Sequence, residues 1–292
     1  MNKNLIPKTV KLLTIDHKDK YPNIPIHEQR MPSLECLTEI VEVIRSIVFP
    51  GYFGNSLVNN ISISYNTGVC LQRLAFLLSS QINDALLFKS EEVDYIKTKE
   101  IANNLTSAFI TKLPEIKEML SDDVGAILNN DPSATNLGEV IFCYPAIKAI
   151  LNYRVAHELY LLEVPLLPRM ISEMAHSETG IDIHPGAQIG KSFAIDHGTG
   201  IVIGQTTIIG NNVTLYQGVT LGAKNFTLDD EGHPMDIARH PILEDNVTVY
   251  SNSSILGRIT IGKGTIIGGN VWLTHSVPPN SKIQQTRCSE EC

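Results

Sequence analysis

From Ile183 onward an aliphatic residue returns every six positions, and few chain paths satisfy that period. In sixes the stretch reads IHPGAQ, IGKSFA, IDHGTG, then IV as a slip of two, then IGQTTI, IGNNVT, LYQGVT and LGAKNF. After an interruption it resumes at Leu243 with LEDNVT, VYSNSS, ILGRIT, IGKGTI, IGGNVW and LTHSVP. A fixed period of six is the signature of a parallel β-helix. Three six-residue sides close one triangular coil, each opening Ile, Leu or Val points into a shared prism core, and backbone hydrogen bonds run from coil to coil. Glycine and asparagine near the openers permit the corners. A row of antiparallel strands would need alternation of period two, which is absent.

Before Thr179 the apolar period is helical. Leu37, Ile40, Val41, Val43, Ile44 and Ile47 predict an amphipathic helix over 34–49, stopped by PGYFGN. Further helices are predicted over 66–89, over 91–128 with an interruption near Pro114, and over 144–162 between Pro145 and Pro165. The fold class is therefore α+β. It comprises an N-terminal arm (1–31), an α-helical bundle (32–178), a β-helix (179–279) and a C-terminal tail (280–292). One segment leaves the repeat, NFTLDDEGHPMDIARHP over 225–241, and it carries Asp229, Asp230, Glu231, His233, Asp236, Arg239 and His240. Long polar excursions from a rigid scaffold are usually functional or disordered, and the basic pair at the return point favours function.

Composition narrows the partners. A net charge of −8 gives no reason to expect nucleic acid or an anionic membrane. No run of about 18 apolar residues predicts a membrane span, and the first residues lack a secretory signal. Five cysteines, Cys36, Cys70, Cys143, Cys288 and Cys292, are odd in number and scattered, which fits a reducing cytoplasm better than a disulfide framework.

Imidazole titrates near neutrality, so histidines are the first candidates for proton transfer. Asp182 and His197 are fifteen residues apart, close to one coil, which would set a carboxylate beside a ring on the next coil. The alternative is that Asp196-His197 is only a solvent-facing corner, and spacing does not choose between the two. Zinc is the rival use of so many histidines, as in hexapeptide-repeat carbonic anhydrases. No H-x₃₋₅-H pair occurs here, His233 and His240 lie seven apart on the loop, and Cys288 with Cys292 cannot close a site alone, so no metal is expected. His275 reads as a surface residue.

The segment HSETGIDIHPGAQIGKSFAIDHGTGIVIGQTTIIGNNVTLYQGVTLG resembles the opening coils of serine acetyltransferases, and ARHPILEDNVTVYSNSSILG resembles their later coils. NDPSATN and YRVAHELY resemble that family's last helical region. The resemblance implies a left-handed β-helix, acetyl-CoA as donor, L-serine as acceptor, a product for cysteine synthesis, and L-cysteine as feedback inhibitor at the serine site. It further implies His197 as general base with Asp182 as its carboxylate partner, and His240 as a second active-site histidine. Arg239 would meet the serine carboxylate, and Asp131 and Asp196 would hold its amine and hydroxyl region. Ala223, Ser251 and Gly269 would line CoA. The resemblance implies active sites between neighbouring prisms, and the flat sides of the triangular coils suit a homotrimer, whose N-terminal helices would join two trimers into a hexamer. Some members insert a tail ending in isoleucine into O-acetylserine sulfhydrylase; this sequence ends in Cys292, so that complex is not implied. The 225–241 loop is also longer and more acidic than the glycine-rich loop common in the family. Two other readings are an acetyltransferase for a different acceptor, such as a sugar, and a silent paralogue. The helical half speaks against the first, and the retained aspartate, histidine and arginine against the second.

Overall fold

The computed structural model describes residues 4–14, 30–54, 62–89, 94–225, 228–233 and 235–285; Cys288 and Cys292 lie outside them. The chain divides into two compact units, residues 1–30 and residues 31–292. In the first, where an arm is expected, Leu5–Thr14 forms helix α1, exposed from residue 5 to residue 13.

The second unit opens with α2 (Leu34–Val48), whose N-cap Ser33 accepts a hydrogen bond from the Cys36 N–H. Of the stripe expected of it, it buries Leu37, Ile40, Val41, Ile44 and Ile47 and leaves Val43 half-buried. There follow α3 (Ser62–Lys89), α4 (Tyr95–Asn130), α5 (Leu137–Cys143), α6 (Pro145–Leu161) and α7 (Leu167–Thr179). The interruption expected near Pro114 does not occur: α4 runs through it as one helix. Pro114 sits on the exposed side, where water can satisfy the carbonyl left without its N–H donor. The short α5 and the later α7 went unread because neither displays a long apolar stripe. α7 ends on Gly180 in the left-handed conformation, and the next residue enters the first coil.

Among the described residues, fourteen short strands then form three parallel sheets, strands three apart pairing as far as β13 and β14 closing on β12. The first sheet holds β1 (Asp182–Ile183), β4 (Val202–Ile203), β7 (Thr220–Gly222), β10 (Ser254–Leu256) and β13 (Trp272–Leu273). The second holds β2 (Gln188–Ile189), β5 (Ile208–Ile209), β8 (Ile242–Leu243) and β11 (Thr260–Ile261). The third holds β3 (Ala194–Asp196), β6 (Thr214–Tyr216), β9 (Thr248–Val249), β12 (Ile266–Ile267) and β14 (Lys282–Ile283). These are the three faces of a prism, and all thirteen aliphatic openers, Ile183 to Leu273, are buried inside it.

Register exposes where the repeat is broken. Val202 pairs with Thr220 and Ser254 with Trp272, the regular step of eighteen residues. Asp182 pairs with Val202, a step of twenty, and Thr220 with Ser254, a step of thirty-four. The two extra residues bulge at the corner DHGTG, ahead of the IV where the sequence seemed to slip. The sixteen extra residues leave the prism after β7 and return at β8.

The helices and the prism share one apolar core within this unit. A buried polar clamp joins them. Arg154 of α6 donates to both oxygens of Asp123 of α4 at 2.7 and 2.9 Å, and to the carbonyls of Ile189 and Gly190 at 3.3 and 2.9 Å. Asp123 also accepts the Phe193 N–H at 2.9 Å. Next to it the Tyr153 hydroxyl donates to the Ala187 carbonyl at 2.7 Å.

Candidate active site

The DHGTG corner lies between β3 and β4. Its extra pair is absorbed by three left-handed residues, His197 (φ 57°), Gly198 (φ 85°) and Gly200 (φ 80°). Histidine tolerates that region better than most side chains. In the next coil Gln217 stands before the matching Gly218 without being left-handed. The bulge therefore turns His197 out of the prism, and its side chain is 74% exposed. A side chain at Gly198 would be strained: an added Cβ would come within 2.5 Å of Ile181 Cδ1 and 2.8 Å of Ile195 Cγ2.

Two acids stand with His197. Asp196 Oδ1 is 3.7 Å from its Nε2. Asp131, the residue that ends α4, is close enough for the ring's charge to affect its ionisation. Asp131 accepts the Tyr144 hydroxyl at 2.5 Å and the Ser133 N–H at 2.8 Å. The Tyr144 bond, ahead of Ser133, holds the Asp131 carboxyl below its ordinary value, and the same bond pushes the Tyr144 phenol up to about 12. Asn130 donates to Thr214 at 3.2 Å and ties the end of α4 to this side of the prism. Tyr144 is a residue the sequence reading missed, because nothing in its spacing connects it to Asp131.

The second group stands at another vertex, between the first and second sheets. The side chain of Arg239 is 22% exposed, and His240 is buried. Arg239 donates to Gln205 at 2.8 Å. Arg258 donates to the carbonyls of Thr206 and His240 at 2.7 and 3.0 Å. Burial, then Arg239 and Arg258, push the His240 imidazole down to about 4. His184, at the same vertex one coil earlier, is pushed down to about 4 by burial and then by Arg169, His240 and Arg239.

Asp182 lies on the first sheet, near Arg169, Glu173 and His176 of α7. Burial pushes its carboxyl up, opposed by His176 and Arg169. No hydrogen bond or ion pair joins it to His197 within the chain. Glu173, His176 and Asp182 instead bring one ligand atom each within 4.8 Å of one another. The six polar residues singled out in the sequence are thus spread out: Asp131, Asp196 and His197 gather at one vertex, Arg239 and His240 at another, and Asp182 lies on the first sheet between them.

The three residues expected along CoA divide in the same way. Ser251 and Gly269 occupy successive coils at the His197 vertex, the position of an added Gly269 Cβ being 3.5 Å from Ser251 Oγ. Ala223 follows β7, at the other vertex. His233 is 72% exposed beside Asp229 and Glu231, and His275 is exposed. A groove of about 840 Å³ runs along the second sheet, bounded by His157 and Tyr160 of α6 and by Asp236 to Ala238 of the loop.

The bacterial transferase hexapeptide (six repeats) family model matches residues 240–275. A plasmid-borne serine acetyltransferase of Synechococcus elongatus is 48% identical over 263 residues, covering 88% of this chain and 82% of the relative. Among solved structures, Entamoeba histolytica serine acetyltransferase 1 in complex with L-cysteine superposes with a TM-score of 0.72 at 31% identity, covering 95% of this chain and 96% of that one. Soybean serine acetyltransferase complexed with serine gives 0.56 at 26% identity, covering 87% and 98%. With a relative so similar along most of its length, and with the prism and helices of those structures, the chain belongs to the serine acetyltransferase family.

Proposed function

We propose that the chain transfers the acetyl group of acetyl-CoA to the hydroxyl of L-serine, at a site assembled from two neighbouring copies in a homotrimer, one giving the triplet Asp131, Asp196 and His197 and the next the triplet Asp182, Arg239 and His240. The observation that carries this reading is the separation of His197 from Arg239 and His240 on different vertices of one prism. The His197 vertex supplies an outward-facing base and two acids, and the Arg239 vertex supplies the cation that the carboxylate of a zwitterionic substrate needs. A closed threefold ring of prisms sets one vertex of each copy against a different vertex of the next. Asp182 of one copy then faces His197 of another, and Ala223 meets the groove lined by Ser251 and Gly269. The helical bundles would join two such trimers into a hexamer.

Each residue then has a chemical task. Arg239 pairs with the serine carboxylate, and Asp131 and Asp196 hold its ammonium, which fixes the hydroxyl before reaction. His197 takes the hydroxyl proton as the oxygen attacks the thioester carbonyl, with Asp182 orienting the ring. N–H donors stabilise the oxyanion of the tetrahedral intermediate. As that intermediate collapses, the C–S bond breaks and His197 returns its proton to the CoA thiolate. Proton transfer and hydrogen bonds carry every step, so the transfer needs no metal. L-Cysteine differs from serine by one atom and inhibits by occupying the same subsite. Among the described residues no helix is long and apolar enough to cross a membrane, and the scattered cysteines support a cytoplasmic setting.

Mixing inactive variants tests the shared site. His197→Ala and Arg239→Ala chains damage opposite triplets, so co-assembly leaves some interfaces intact. Random mixing restores about a quarter of wild-type CoA release with L-serine, while each variant alone stays near zero. Mixed assemblies as inactive as either parent would place both triplets in one chain's site and refute the reading.

A further inference from the structure

The segment Gly204-Gln205-Thr206 lies beneath the point where the long loop rejoins the prism, and its contacts with His240 are unusually complete. The Thr206 backbone N–H donates to His240 Nδ1 at 3.1 Å, and the Thr206 hydroxyl lies 2.9 Å from the same nitrogen. That hydroxyl already accepts the N–H groups of Arg239 at 2.9 Å and of His240 at 3.1 Å. Its own hydrogen is therefore the one free to point at Nδ1. A ring nitrogen that accepts two donors cannot carry a hydrogen of its own, so the hydrogen resides on Nε2. His240 Nε2 has no hydrogen-bond partner among the described residues, which leaves it for a ligand.

The ring has little room to turn. It rests on Gly204, where an added Cβ would stand 2.0 Å from His240 Cδ2 and 2.2 Å from Nε2. The charged or titratable groups that bear on it, Arg239, Arg258 and His184, are all basic, and none favours an imidazolium. Gln205 holds Arg239 from the same tripeptide.

We propose that Thr206 is a positioning residue that locks His240 as a neutral imidazole with its hydrogen on Nε2, so that His240 acts as a hydrogen-bond donor and not as a second base. What His240 donates to rests on the reading above: an anionic oxygen held beside Arg239. Proton abstraction is thereby left to His197 alone. The lock itself is a property of the folded chain and stands apart from the substrate.

Nitrogen-15 spectroscopy of the assembled, histidine-labelled enzyme reads the lock directly, with His240→Gln identifying the signal. The wild type shows Nε2–H and bare Nδ1 throughout pH 5 to 8. Thr206→Val keeps the backbone donor and loses the hydroxyl. The tautomers then mix, the His240 titration moves up, the acidic limb of kcat/KM for serine moves up with it, and kcat/KM falls about tenfold, as for one lost hydrogen bond. Thr206→Ser restores the wild-type spectrum and rate. A wild-type His240 carrying hydrogen on Nδ1, or charged at pH 6, overturns the proposal. So does a Thr206→Val enzyme that loses activity with its tautomer and pH profile unchanged, since Thr206 would then be merely structural. A wild type that shows the lock but acetylates no serine would refute the functional reading alone.

Discussion

Replacing Arg154 by methionine removes the cation of the clamp between the helices and the prism while keeping most of the side-chain volume. The side chains of Arg154 and Asp123 are 4% and 0% exposed, so water cannot substitute for the lost partner. Asp123 keeps only the Phe193 N–H, and the carbonyls of Ile189 and Gly190 lose a donor. Burial already pushes the Asp123 carboxyl up, and Arg154 is the main opposing influence. Breaking one half of a buried pair costs about 3–5 kcal/mol. Asp123→Asn alone should cost a similar amount, because it strands the guanidinium while still accepting from Phe193. The double variant removes both charges, so its loss falls short of the sum by about 2 kcal/mol or more. Urea unfolding followed by circular dichroism gives the three values. A loss below about 1 kcal/mol for Arg154→Met, or strict additivity, would refute a desolvated, coupled pair. Because α4 ends at Asp131, the variant should also raise the KM for serine before it abolishes folding.

Two further outcomes follow from the geometry. His184 and His240 are both pushed down to about 4, so the unfolded chain binds more protons than the folded one between that value and the ordinary histidine range. Their contribution to stability is full above about pH 6.5 and is lost as pH falls toward 4, so urea midpoints should drop over that window. His184→Gln with His240→Gln should flatten the drop, and an equal slope in the double variant would dismiss both residues as its source. Gly198→Ala meets a left-handed backbone and the Ile181 and Ile195 side chains at once, and should cost about 2 to 5 kcal/mol. It should also displace His197 and cut kcat, and a fully active, fully stable Gly198→Ala enzyme would contradict the tight corner.

The prism was legible because its physics repeats: each opener faces the same core, so thirteen separate positions report one geometry. The α2 stripe was legible for a similar reason. The clamp was not, since Arg154 sits within an almost wholly buried helix where the sequence offers no sign of the partner thirty-one residues earlier. Nor was the pairing of site residues. Spacing allowed Asp182 to stand beside His197, but no hydrogen bond or ion pair joins them among the described residues, and the left-handed turn at His197 carries its ring outward. Pro114 misled because proline's effect on a helix depends on which side it faces, and the apolar period around it was too weak to show that side.

The long excursion has a consequence for how such an enzyme can change. It leaves and re-enters the prism at one vertex, and the strands on either side keep their register across it. Closing a flexible loop becomes harder only with the logarithm of its length, so doubling or halving this one shifts stability by about 0.6 kcal/mol. Arg239 and His240 are anchored at its last residues by Gln205 and Thr206, and Arg239 also donates to Asp236 and to the Ile237 carbonyl just before it. The stretch before Asp236 is thus a nearly free variable: insertions, deletions and changes of charge there can reshape access to the substrate while the scaffold and the two anchored side chains stay where they are.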